Sequence, residues 1–192
     1  MMQAGRLTLA LVLLLAAVPA RSADGTAHPD PKLVALVKQA VAESTSFHDR
    51  FAAQVWLMDM STRLKPDMSD DAKRLKFLRL VHAEATRAKV PPELVLAVIQ
   101  VESDFKRFAI SSVGAEGYMQ VMPFWLDEIG KPGANLFHAQ TNLRIGCTIL
   151  RYYLDQAHGD LRHALALYNG DGNRFVYADR VLKALSDRWY RQ

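Results

Sequence analysis

The chain carries a single cysteine in 192 residues, which excludes an intramolecular disulfide. Cys147 lies in an apolar, helix-patterned stretch with no His or Asp arranged beside it, so it reads as a small core residue rather than a nucleophile. No segment alternates apolar and polar residues for long enough to form a strand, and internal repeats and low-complexity tracts are absent. No metal, nucleotide or redox-cofactor motif occurs, so neither a metal nor a cofactor is expected. Charge of one sign is scarce too: 24 Lys and Arg face 20 Asp and Glu, a net +4. No Lys/Arg run approaches a DNA-binding tract, so a nucleic-acid partner is excluded. The longest apolar run, Leu7 to Val18, is about 12 residues. About 20 are needed to span a bilayer as a helix.

What is present begins with that run. Arg6 precedes it, and Val18-Pro19-Ala20 or Ala20-Arg21-Ser22 follows with small residues at cleavage positions. This is the layout of a secretory signal peptide over residues 1–22, with an uncleaved anchor as the alternative. Stable membrane insertion is therefore not expected once the signal is removed. No Cys stands near the cleavage region, which argues against a lipoprotein. Cleavage after Ala20 removes Arg6 and no acid, leaving 23 bases against 20 acids and a net +3. That mild surplus suits a polyanionic partner. Half of the residues are hydrophobic, enough for one buried core.

Residues 21–31 are polar and aperiodic, a linker; helical period dominates thereafter. Leu33, Leu36, Val37, Ala40 and Val41 share one face of a first helix. Phe47, Phe51, Val55 and Met58 mark the face of a second, which Pro66 ends. In the same region Phe47-His48-Asp49-Arg50 and Trp56 read as helix packing with a salt-bridged surface. Ser69-Asp70-Asp71 is an N-cap and acidic first turn, opening a helix with Leu75, Leu78 and Val81 on one face. Pro91-Pro92-Glu93 starts another, running to about Ser103. A loop rich in Gly and small polar residues covers 104–122, and Pro123 opens a short helix ending near Gly130. Helices over about Thr141–Gln156 and Leu161–Tyr168 follow, and Gly170-Asp171-Gly172 breaks the chain before a last helix with Val181, Leu182 and Leu185. The fold class is all-α. We divide the chain into a signal peptide at 1–22, a linker and helical extension at 23–88, and a helical catalytic domain at 89–192, with the extension packed on the domain.

The helix beginning at Pro92 carries the first chemical signal. Leu94, Val95, Val98 and Ile99 define its apolar face, and Glu102 continues that stripe at i+4 from Val98 and i+3 from Ile99. Apolar surroundings disfavour the carboxylate. The negative end of the helix dipole disfavours it again. Both raise the pKa toward the range a general acid needs near neutral pH. A helix that frays before Glu102 would leave an ordinary solvated acid, and spacing does not separate these readings. Downstream, Ser111 to Gln120 is rich in residues that let a backbone approach a ligand, and Tyr168-Asn169 places a phenol and an amide at a helix end.

In this order and spacing the residues resemble the lytic transglycosylases of the soluble type, whose catalytic domain is related to goose-type lysozyme. The resemblance covers roughly Val90 to Leu182. Its motifs are Glu102-Ser103, the Ser-x-x-Gly-Ala-x-Gly-x-Met-Gln-x-Met-Pro run from Ser111 to Pro123, Asn142-Leu143-Arg144-Ile145-Gly146, and Tyr168-Asn169 followed by a Tyr-x-x-x-Val-Leu helix at Tyr177 to Leu182. Tyr118 stands where Leu is commoner. The resemblance implies a lysozyme-like fold and an enzyme acting on peptidoglycan glycan strands; with the signal peptide, the expectation is a periplasmic protein, and a monomer. It implies cleavage of the β-1,4 bond between N-acetylmuramic acid and N-acetylglucosamine without water. Glu102 protonates the leaving oxygen and then, as carboxylate, deprotonates the muramoyl 6-hydroxyl to close a 1,6-anhydro ring.

By the same match Ser103, Ser111, Gly117, Tyr118, Met119, Gln120, Met122, Tyr168, Asn169 and Tyr177 bind substrate or orient the acid. Ser111 and Tyr168 hydrogen-bond near Glu102 or the substrate N-acetyl group, while Gln120 and Asn169 contact sugar or order the cleft. Met119 and Met122 are candidates for the sugar-site floor, with core packing favoured for Met119; Tyr177 lines the cleft or packs. One departure is Ile149, where many relatives carry an aromatic residue; if that ring grips a sugar or braces the acid, Tyr152 or Tyr153 has to substitute or the subsite is weaker. Ordinary glycosidases need two carboxyl groups, about 5–5.5 Å apart for retention or ~6.5–9.5 Å for inversion. The candidates for a second are Asp104, about 160° round a helix turn from productive alignment, and Glu116. A hydrolase of lysozyme type and a non-catalytic peptidoglycan-binding module are the competing readings.

Overall fold

The computed structural model describes residues 31, 50–170 and 174–190; the signal segment, the helix expected at 33–41 and Phe47 lie outside the described residues. Seven α-helices follow among those residues: α1 (Arg50–Leu64), α2 (Asp71–Arg87), α3 (Pro92–Ser103), α4 (Phe124–Glu128), α5 (Ala139–Gln156), α6 (Leu161–Tyr168) and α7 (Val176–Ala184). One π-helical turn, Leu185–Trp189, continues α7. The all-α expectation holds; the nearest approach to a strand is a pair of isolated antiparallel bridges, Ile110 to Glu116 and Glu116 to Val121.

Local signals set several ends. Asp70 caps α2 by accepting from the Lys73 N–H at 3.0 Å, and Asp160 caps α6 by accepting from the His163 N–H at 2.9 Å. Pro92 sits in the first turn of α3, where its missing N–H is not needed. Helix α1 stops at Leu64, two residues before Pro66.

The face assigned to α1 is wrong. Val55 is 40% and Met58 75% exposed, while Trp56, Leu57, Met60 and Leu64 are buried. Both sets have helical spacing, so periodicity alone does not choose between them. A long-range contact does: the Trp56 indole N–H donates to Glu93 Oε1 of α3 at 2.9 Å, and turning Trp56 inward puts Met58, about 200° away, outward. Leu75 of α2 is only half-buried, and Phe77 with Leu78 and Val81 forms the inner face.

Helix α3 is the core of the molecule. Leu94 to Ile99 are all at most 2% exposed, so α3 is enclosed on every side rather than along one stripe. One continuous apolar cluster joins Trp56 of α1 to Trp189 of the π-turn through α3. The Trp189 indole donates to Gln100 Oε1 at 2.7 Å. The ends of α1 and the π-turn are clasped by Arg63 Nη1 donating to Arg188 O and Arg188 Nη2 donating to Arg63 O, each at 2.7 Å. Helices α2 and α5 meet at a buried ion pair, Arg144 Nη2 to Glu84 Oε1 at 2.8 Å, and Glu84 also accepts from Arg87 Nε at 2.8 Å. Glu84 is fully buried, and stranding either charge there would destabilise by about 3–5 kcal/mol. These contacts fix α3 and α5, the two helices that carry the walls described next.

Candidate active site

Glu102 occupies the last turn of α3, one residue before Ser103. The helix does not fray ahead of it: Asp104 ends the helix in a left-handed conformation (φ +50°) and its N–H donates to Gln100 O at 3.1 Å. Glu102 therefore stays on the buried stripe, as its spacing suggested. Burial raises its pKa from 4.5 to about 7; a hydrogen bond from Tyr177 and the charge of Arg180 pull the other way without cancelling it. Tyr177 of α7 donates its hydroxyl to Glu102 Oε1 at 2.7 Å. Burial and the neighbouring carboxylate hold the phenol well above its ordinary pKa, so it stays protonated as the donor. In sequence Tyr177 stands among the residues that bind substrate or orient the acid, with packing or lining the cleft as its place; the structure puts its hydroxyl directly on Glu102.

Two hollows meet at this carboxyl. One, about 710 Å³, is lined by Glu102, Asp104, Lys106, Arg180, Lys183 and Asp187 among others. The other, about 530 Å³, is lined by Glu102, Met122, Phe124, Ile149, Tyr153 and Asn169 among others. Glu102, Ser111 and Gln120 belong to both, so they mark the join. In the second hollow Glu102 is the one ionisable carboxyl, and no cation lines it.

The loop between α3 and α4 holds its own shape through polar contacts. The Ser111 hydroxyl accepts from the Ala115 N–H at 3.0 Å, and the Gln120 side-chain amide donates to Gly117 O at 2.9 Å and Ala109 O at 3.2 Å. Gly117 has φ +75°, and a Cβ there would stand 2.5 Å from Asn142 Nδ2 and 2.7 Å from Leu136 O. Only glycine satisfies both demands. Asn142 of α5, fully buried, accepts from the Met119 N–H at 2.8 Å and donates to Glu116 O at 2.8 Å. Sequence analysis placed Asn142 in a motif but gave it no task; it hangs the loop on α5.

Several expected site residues prove to be supports. Ser103 is buried, with its hydroxyl 2.9 Å from Tyr118 O and 3.1 Å from Ile99 O, which ties the loop to α3. Tyr118 is 6% exposed and packs on Phe77 with ring centroids 4.6 Å apart, so it faces the core and not the cleft. Met119 is fully buried, its sulfur 3.9 Å from Cys147, in accord with core packing. Tyr168 donates to Met119 O at 2.9 Å rather than to Glu102, while its ring lines the second hollow. Met122 and Asn169 line that hollow. Ile149 lines it as well, and Tyr153, one turn on, brings an aromatic ring to the same wall; Tyr152 is buried and bonded by Gln156 Nε2 at 2.9 Å. Phe124, Trp125 and Arg180 were not singled out in sequence and also form walls.

A second carboxylate is poorly supplied. Asp104 pairs with Lys106 at 3.2 Å and Asp187 with Lys183 at 2.6 Å, both pairs exposed. Glu116 lines neither hollow. Among the described residues no three His, Cys, Asp or Glu side chains gather as metal ligands, and no helix is long and apolar enough to cross a membrane.

Comparison with known proteins gives concordant matches. A family model described as "Transglycosylase SLT domain" matches residues 79–182. A transglycosylase of Enterobacteria phage PRD1 is 33% identical over 100 residues, covering 52% of this chain and 37% of the phage protein. The chain thus spans well under half of that curated relative. Among solved structures, an inactive mutant of the lytic transglycosylase Slt from Pseudomonas aeruginosa gives a TM-score of 0.47 at 21% identity over 83% of this chain and 34% of that one. The 70 kDa soluble lytic transglycosylase of Escherichia coli gives 0.45 at 23% identity over 71% and 24%.

Proposed function

The chain belongs to the transglycosylase SLT domain family, and from that premise we propose that it is a peptidoglycan lytic transglycosylase. It cleaves the β-1,4 bond between N-acetylmuramic acid and N-acetylglucosamine without water and leaves 1,6-anhydro ends. The observation that carries this reading is the half-buried carboxyl of Glu102, held at about 7 where two hollows meet.

A pKa near the working pH makes both halves of the cycle accessible to one group. Protonated Glu102 gives its proton to the leaving glycosidic oxygen. The resulting carboxylate is stabilised by the Tyr177 hydroxyl, which favours the charged form. It then takes the proton of the muramoyl 6-hydroxyl, whose oxygen closes on the anomeric carbon. Because the nucleophile belongs to the substrate, proximity replaces a positioned water and a second carboxylate. The ion-paired, exposed Asp104 and Asp187 are poor candidates for that second role.

The proposed substrate lies outside the cytoplasmic membrane, and the apolar segment Leu7–Val18 is our candidate for the export signal to the periplasm, where the protein acts as a monomer. Mass spectrometry of digested sacculi tests the activity: anhydro-muropeptides support it, reducing ends point to hydrolysis, and no products point to a binding module. Glu102→Gln should lower the rate about 10³-fold or more, since general acid and base catalysis are both removed. Undiminished anhydro product from that variant would sink the mechanism.

A further inference from the structure

The cations of the charged hollow are not equivalent. Lys106 is committed to Asp104 at 3.2 Å and Lys183 to Asp187 at 2.6 Å. Arg188 is engaged by Asp67 and by the face of Trp189, 4.5 Å from its guanidinium carbon. Recruiting any of these to a ligand means breaking an existing contact. Arg180 differs: among the described residues no carboxylate stands at ion-pair distance from it, although it is exposed and lines the same hollow. It follows Tyr177 by three positions on α7, so the two share a stripe of that helix. Its charge is felt by Glu102, which places it within electrostatic reach of the reacting carboxyl.

We propose that Arg180 binds a carboxylate of the peptide stem carried by the muramoyl sugar, seating the stem in the charged hollow while the neutral hollow takes sugar rings. The proposal rests on the function argued above. In such a strand the sugar rings are uncharged, and anionic groups come with the peptide. A planar guanidinium matches a carboxylate in a two-point, charge-assisted fork, which a lysine does not reproduce. The other hollow, with no cation in its lining, offers apolar and aromatic faces instead.

Binding, rather than turnover, gives the cleaner test. In a Glu102→Gln background, affinities are measured for stem-bearing glycan strands with free stem carboxylates and for the same strands after those carboxylates are converted to amides. The strands with free carboxylates should bind about tenfold more tightly than the amidated ones, the scale of one charge-assisted contact, and Arg180→Gln should erase that difference. Arg180→Lys should keep part of it. If Arg180→Gln weakens both strands equally, or neither, the arginine serves only Glu102 or nothing, and the proposal falls. Absence of binding to either strand overturns it as well. Stem-dependent binding with no anhydro product from the unmutated protein would sink the catalytic reading and leave this one standing.

Discussion

The two hollows share Glu102, Ser111 and Gln120 yet have opposite characters. On one side α7, the π-helical turn and the start of the loop present four cations and two further acids; on the other, α4, α5 and the end of α6 present no charge beyond Glu102 itself. The contrast explains how one carboxyl can be both high in pKa and usable. The neutral side withholds solvation and raises the pKa. The hydrogen bond from Tyr177 and the charge of Arg180, which lines the charged side, stop the rise near 7. A site neutral on both sides would keep the acid protonated and useless as a base.

Changing Glu102 tests that balance most severely. Its folded pKa of about 7 lies above the ordinary 4.5, so the folded state binds more protons than the unfolded state between those values, and stability falls as pH rises through that window. Glu102→Gln should therefore be more stable than the unmutated protein at pH 8, by on the order of 2–3 kcal/mol, with the gap closing toward pH 4. Thermal unfolding against pH reads this directly; equal stability at both pH values would show the carboxyl to be well solvated. Next in size, Tyr177→Phe removes the donor that lowers the pKa. The alkaline limb of the kcat profile should move up by about one unit and the neutral-pH rate should fall about tenfold, since the carboxylate loses its partner. A smaller effect is expected on the neutral side alone. Phe124, 41% exposed in that hollow, offers an aromatic face to a sugar ring, and Phe124→Ala should raise KM about fivefold with kcat nearly unchanged. A fall in kcat with KM constant would mean that this wall acts on the reacting bond rather than on binding.

Much of the fold was legible because it is written locally. Asp70 and Asp160 announce helix starts through hydrogen bonds within three residues, and Leu161–Tyr168 matches the helix expected there. Spacing offered the place of Glu102 on its stripe, and the left-handed cap at Asp104, beyond the reach of spacing, secures it. What escaped was decided by partners far along the chain. The inward face of α1 depends on Trp56 meeting Glu93, 37 residues on, and the donor to Glu102 comes from 75 residues away. Within one motif, Tyr118 and Met119 turn into the core and Gln120 turns to the cleft, a division set by the bridges and positive φ values of the loop. Arg180 looks in sequence like any solvated helix surface; only its place beside Glu102 distinguishes it.

The Asn142 tie has a consequence for how such a site can diversify. Its amide uses its donor on one loop carbonyl and its acceptor on one loop N–H, both at 2.8 Å. Aspartate would lose the donor and leucine both, leaving buried backbone groups unpaired. This peg thus consults only the loop's backbone, while Ser112 and Val113 stand exposed beside it. Val113 also lines the second hollow, so that wall can be varied at an exposed position without disturbing the mount that holds the loop.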